Sequence, residues 1–149
     1  MSKIETLVVS GFPATGKSYY VNYRESNDYM PQGFAIDSDS STFDKKDFPN
    51  NYIEHIKNGI GKHKIIFVSS HKEVREALVK NGIDFTLVYP ELKLKKEYIE
   101  RYKTRGSDDG FINFISDNWS DFIMDLRYQK GCKHLVLKEN EFMYNALRL

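Results

Sequence analysis

One cysteine, Cys132, stands in 149 residues. A disulfide within the chain and a cysteine-built structural zinc site are both excluded. Charge excess is lacking too: 22 Lys+Arg against 21 Asp+Glu give a formal net charge of +1. Attachment to nucleic acid through bulk charge is therefore not expected, and only a local basic patch would provide it. No apolar run approaches the length of a membrane span. The opening MSKIETLVVSGFP is too short in its apolar part, and too interrupted by Gly and Pro, to read as a signal peptide. What is plentiful points to an ordered core: apolar residues make up 40%, with ten Tyr and ten Phe. The length suits one such core and not two, so a single cytoplasmic domain over residues 1–149 is expected.

Hydrophobic patterning divides the chain into alternating strands and helices. Ile4–Val9 reads as a buried strand ending at Ser10-Gly11, followed by a helix from Lys17 to about Asn27. Phe34-Ala35-Ile36 is a short second strand, and residues 40–48 form a polar loop before a helix from Asn50 to Ile60. The continuous run Ile65–Val68 predicts a central strand covered on both faces. Ser70 and Glu73 have capping-box spacing at the head of a helix running to about Lys80. Asp84–Tyr89 is the next strand, Leu92–Thr104 a helix, and Phe111–Gln129 one long helix. Lys133–Leu137 is a last strand, and Glu139–Leu147 a short closing helix. Such alternation predicts a three-layer α/β domain around a mostly parallel five-stranded sheet.

Gly11-Phe-Pro-Ala-Thr-Gly16-Lys17-Ser18 matches the whole GxxxxGK[ST] pattern, between an apolar strand and a helix. Its glycines let backbone wrap closely around phosphates, with amides pointing inward and a helix N-terminus behind them. Gly11, Ala14, Thr15, Gly16, Lys17, Ser18 and Tyr19 are the expected nucleotide-binding positions. Lys17 would reach the β- and γ-phosphates, and the Ser18 hydroxyl would ligate Mg²⁺. The expected cofactors are ATP and Mg²⁺.

Asp37 and Asp39 follow the second strand, two apart on extended chain and so pointing the same way. One carboxylate can hold water on the metal, and the other can orient or deprotonate an acceptor hydroxyl. The competing reading is a solvated polar loop. The third strand runs into Ser69-Ser70-His71, without the acid that usually follows an apolar strand in proteins with this loop. Asp37 is therefore the expected second metal-side residue. His71 is either a first-turn surface residue or part of the acceptor pocket. Arg101 and Arg105, four apart on one helical face beside the Gly106–Gly110 break, are expected to clamp the transferring phosphoryl. The competing reading pairs Arg101 with Glu97 on a solvated face. Arg24, Arg75 and Arg127 are weaker pocket candidates, and Phe43 and Phe48 are candidate walls for an acceptor base.

The stretches GFPATGKS, FAIDSDSS, FPNNYIEHIK, IIFVSSHKEVREAL and EYIERYKTRG resemble small adenylate-kinase-like P-loop kinases, in particular phage and prophage nucleotide-kinase-like proteins. The resemblance implies a P-loop NTPase fold of the nucleoside monophosphate kinase and shikimate kinase type. It further implies strand order 2-3-1-4-5, a short lid over about 101–115, and the cytoplasm of a bacterial or phage-infected cell. In shikimate and gluconate kinases an Asp-x-Asp ends the second strand. On that pattern Asp37 is the magnesium-side residue, Asp39 the acceptor-side residue, and Arg101 or Arg105 a lid arginine. The leading expectation is phosphoryl transfer from ATP to a nucleotide, above all a deoxynucleoside monophosphate. A hydroxyl acceptor (nucleoside, small metabolite or polynucleotide 5′ end) and a nucleotide-binding switch with little turnover are the alternatives.

Overall fold

The computed structural model describes residues 5–17, 20, 35–38 and 42–147. Five strands, β1 Leu7–Gly11, β2 Ala35–Asp37, β3 Ile65–Ser69, β4 Thr86–Pro90 and β5 Lys133–Leu137, form one parallel sheet in the order β2-β3-β1-β4-β5. Helices α1 Asn50–Gly59, α2 Lys72–Lys80, α3 Lys95–Thr104, α4 Asp109–Asp117, α5 Trp119–Arg127 and α6 Met143–Ala146 connect or follow them. The α/β class, the all-parallel sheet and the strand order agree with expectation. β2 lies beside β3, so Asp37 is separated from the phosphate loop by a whole strand.

Period-two alternation builds the layers. Val8, Ile66, Val68 and Leu87 face one side, where they pack with Tyr52 and Ile56 of α1, Leu78 of α2 and Ile123 of α5. Val9, Ile65, Phe67 and Val88 face the other, against Tyr20 and Met143. The resulting three layers leave the carboxyl ends of β2, β3, β1 and β4 along one rim.

Several boundaries depart from the sequence reading. β1 extends through Gly11, because its register against β3 continues to Gly11↔Ser69. The Thr6 hydroxyl closes its start, donating to the His63 carbonyl (2.6 Å) and accepting from the Gly61 amide (2.8 Å). Ser70 and Glu73 do not form a capping box. His71 is the N-cap, with no side-chain cap bond; its amide donates to the Ser69 hydroxyl (3.2 Å), and the Ser70 carbonyl accepts from Arg75 Nε (2.8 Å). Leu92–Leu94 is a 3₁₀ turn ahead of α3, and the closing helix is confined to Met143–Ala146. The single helix expected over 111–129 is two, α4 and α5, divided at Asn118. The Asn118 amide side chain donates to the Phe114 carbonyl (2.9 Å), competing with continuation of the ladder. The break turns Trp119 into the core, its indole N–H donating to the Leu92 carbonyl (2.8 Å) and its ring lying edge-on to Phe12. The helix expected from Lys17 to Asn27 begins at Lys17, and its later residues lie outside the described ones.

Candidate active site

The phosphate loop leaves β1 at the sheet's central rim. The Phe12 amide still bonds Val88 of the neighbouring strand (3.0 Å), and the chain then closes on itself: the buried Thr15 hydroxyl donates to the Phe12 carbonyl (2.6 Å). Ala14 and Gly16 adopt left-handed conformations, φ 68° and 99°. Gly16 also needs its missing side chain for room, since a Cβ there would sit 3.3 Å from Phe142 Cβ. Among the described residues the amides of Ala14 and Gly16 have no partner. Lys17 Nζ donates back to the Gly11 carbonyl at 3.2 Å, which holds its charge over the loop. Unpartnered amides beside a held ammonium suit a polyphosphate. Ser18 and Tyr19 lie outside the described residues, as does Asp39.

The end of β2 is pinned through Tyr52. This buried tyrosine donates to the Ser38 carbonyl (2.6 Å) and accepts from the Ser69 amide (3.2 Å), tying the ends of β2 and β3 together. The Ser38 hydroxyl also meets His55 Nε2 at 2.9 Å. Asp37, one residue earlier, is exposed on the same rim. No acid ends β3 at Ser69.

Arg101 is the most connected side chain near the loop. It donates to the Ala14 carbonyl (2.9 Å), the Glu141 carbonyl (2.9 Å) and Glu97 (2.8 Å), with 11% of its side chain exposed. Its guanidinium lies 4.2 Å from the Tyr98 ring centroid and 3.8 Å from that of Phe142. Glu97 accepts from the Asn140 amide (2.9 Å), and the Met143 amide donates to the Thr15 carbonyl (2.8 Å). The segment before α6 is thus latched to α3 and to the loop. The Glu97–Arg101 pair is formed, but at a largely buried site instead of on a solvated face. Arg105 is exposed at the end of α3, near the Tyr102 ring, with Nε donating to Ser107.

No family model matches the sequence, and no curated protein matches it either. The assignment therefore rests on residues and geometry.

A cavity of about 1880 Å³ opens above the rim. Gly11, Ala14, Gly16 and Lys17 line it, as do Asp37 and both Arg101 and Arg105. Thr15 lies buried behind the loop. His71 is exposed and also lines the cavity. Phe43 and Phe48 do not: both rings pack on Tyr52, because the polar loop folds back over α1. The aromatic wall is instead Phe111, Phe114 and Phe122, on helices that the sequence reading treated as one core-facing element. Exposure of Phe114 off the apolar stripe of α4 is the signal that was available.

Tyr98 carries a distinct consequence. Its hydroxyl is buried with no hydrogen-bond partner among the described residues, and burial pushes its pKa from 10.0 up to about 12. Burial raises Tyr102 as well. A folded-state pKa above the unfolded one contributes stability that is complete below pH 10.0 and is lost as pH rises toward about 12. Tyr98→Phe is expected to be at least as stable as the parent at neutral pH and to hold its fold further into alkali. Circular dichroism across an alkaline titration checks this, and an unmoved or earlier transition refutes it.

Proposed function

We propose that the protein is an ATP- and magnesium-dependent phosphotransferase whose acceptor is a nucleotide, above all a deoxynucleoside monophosphate. One observation carries the reading. The GxxxxGKS loop opens onto a cavity of about 1880 Å³, larger than the ~300–1,000 Å³ of an ordinary single-ligand site and sufficient for donor and acceptor side by side.

Residue roles follow from placement. The loop amides and Lys17 donate to the donor phosphates, where negative charge must be held as the phosphoryl group moves. Magnesium bound with the nucleotide would neutralise phosphate charge, taking most of its oxygens from phosphate and water. Ser18 and Asp37 would hold it from the protein side, Asp37 through water since β3 lies between it and the loop. Asp39 would orient the acceptor. Arg105, exposed at the mouth, is the cation suited to the transferring group, while Arg101 holds the loop in shape through Ala14. Asp37→Asn is expected to raise the magnesium concentration giving half-maximal turnover by about tenfold. A magnesium titration of turnover that is unchanged in the variant removes Asp37 from the metal.

A hydroxyl acceptor, such as a nucleoside, is the second reading, and Arg75 favours it. Its guanidinium is committed to the Ser70 carbonyl, Gln129 and Asp125, so it is not available to an acceptor phosphate. Incubation with Mg²⁺-ATP and a panel of deoxynucleoside monophosphates, nucleosides, hydroxylated metabolites and 5′-hydroxyl DNA separates the two. Phosphorylated product that appears with monophosphates and vanishes in Lys17→Ala supports the first reading. Transfer to hydroxyl acceptors alone replaces it with the second. ATP binding without transfer to any of them refutes both and favours a nucleotide-binding switch.

A further inference from the structure

At the cavity rim β3 outruns its outer neighbour. β2 pairs with it over Ala35–Asp37, ending at Asp37↔Phe67, whereas the β1–β3 pairing runs on to Gly11↔Ser69. A backbone bond follows on the outer side, from the Ser38 amide to the Phe67 carbonyl (2.9 Å). Beyond it the buried Tyr52 of α1 joins the two strand ends. Its hydroxyl donates to the Ser38 carbonyl (2.6 Å) and accepts from the Ser69 amide (3.2 Å). Ser69 is tied onward to β1, its carbonyl accepting from the Ser10 hydroxyl (2.9 Å). The bonds thus run from the residue after Asp37 to the residue before Gly11, where the phosphate loop begins. Asp37, Ser38, Ser69 and Gly11 line the cavity, and Tyr52 stands behind them.

The spacing of the sheet gives this tie its importance. Adjacent strands lie about 4.8 Å apart, so β2 runs about 10 Å from β1. β3, the strand between them, ends in Ser69 and brings no carboxylate. On the proposed reading, magnesium at the loop therefore meets Asp37 through water, and each hydrogen bond of such a bridge tolerates only a few tenths of an ångström. A short edge strand, paired on one side, frays at its end unless something beyond the ladder holds it. Tyr52 is suited to that task because its ring is placed without the hydroxyl. It is buried, edge-on to Phe43 (centroids 4.9 Å) and beside Phe48 (5.7 Å).

We propose that Tyr52 is a positioning residue for magnesium: its hydroxyl fixes the end of β2 against β3 and so holds the Asp37 carboxylate where it meets water on the metal. Tyr52 itself touches neither nucleotide nor metal. The proposal deepens the phosphotransferase reading and takes from it the magnesium-bound nucleotide.

The test is calorimetric binding of ATP to the full chain without acceptor, once in excess magnesium and once in EDTA. The ratio of the two affinities is the metal's contribution, and measuring it needs no turnover. In the parent, magnesium is expected to tighten ATP binding by about tenfold or more. Tyr52→Phe keeps the ring and removes both bonds. It is expected to cut the ratio by about tenfold and to leave the affinity in EDTA unchanged. In the Asp37→Asn background the same substitution is expected to change the ratio by less than about twofold, because its effect runs through that carboxylate. Thermal unfolding of the same preparations reads any structural effect separately. A folded Tyr52→Phe with an unmoved ratio overturns the proposal, whatever its stability. So does an equal further loss in the double variant, or a parent that binds ATP no tighter with magnesium. If Tyr52→Phe does not fold, Ser10→Ala, which cuts the onward bond to Ser69, decides. Its ratio is expected to fall about threefold, and an unmoved one overturns the proposal. A ratio that falls as expected in a protein that transfers to no acceptor refutes the transferase reading and keeps the tie. Transfer with a ratio unmoved in Tyr52→Phe does the reverse.

Discussion

Lys17→Ala is expected to lower acceptor-dependent ATP consumption by about 10³-fold while leaving the protein folded. The two effects separate because, on the proposed function, the ammonium's electrostatic effect on the transferring group is larger than what a hydrogen bond of its kind adds to stability. Its Nζ donates to the Gly11 carbonyl at 3.2 Å. Loss of such a bond costs about 1 kcal/mol of stability. In the proposed transfer, by contrast, charge developing on the phosphoryl group would meet a fixed donor, which is worth more in a protein site than in water. Lys17→Arg should recover little, since a planar fork does not replace a compact ammonium over a tight loop. The measurement is product formation and ADP release together, with thermal unfolding run on the same preparations. Turnover within about tenfold of the parent would remove Lys17 from the chemistry.

Arg101→Ala is expected to cost about 2–3 kcal/mol of stability, well above the value of an exposed ion pair. Arg101 bonds Glu97, the loop carbonyl of Ala14 and the carbonyl of Glu141, and lies between the rings of Tyr98 and Phe142. Its removal leaves Glu97, 21% exposed, without its counter-ion and leaves the Met143–Thr15 backbone bond to hold the segment before α6 to the loop. Because Ala14 holds φ at 68°, an unfavourable conformation for a residue with a Cβ, the loop depends on outside bonds to keep its shape. ATP affinity should therefore fall along with stability. Arg101→Lys should restore less than half of the loss, because one ammonium cannot bridge three acceptors in a plane and stack as well. Urea unfolding measures the first effect and equilibrium nucleotide binding the second. A stability change under about 0.5 kcal/mol would show that the latch carries no load.

The place of the GxxxxGKS loop was legible because its information is local: eight consecutive residues, a strand before and a helix start after. Strand positions were legible within a few residues for a similar reason, since apolar runs such as Ile65–Val68 leave no alternative to burial on both faces. The partners of Arg75 were not legible. Asp125 and Gln129 lie 50 and 54 residues away, and no periodicity relates them. The break at Asn118 was missed because the apolar pattern of α4 continues into α5, and a side-chain bond to Phe114 stops the helix.

By itself the sequence determined an α/β class with parallel strands and a glycine-containing GxxxxGKS loop between a strand and the start of a helix. Those properties follow from local patterning and from the conformations glycine alone reaches easily. Patterning alone left the strand order open, the resemblance implied it, and the tertiary structure shows it, with β3 between Asp37 and the loop. It also moved Arg101 from a helix surface into a three-way latch and put Arg75, Asp125 and Phe114 around one cavity. These are long-range placements, decided by which packing of the helices buries the most apolar surface while every buried charge finds its partner.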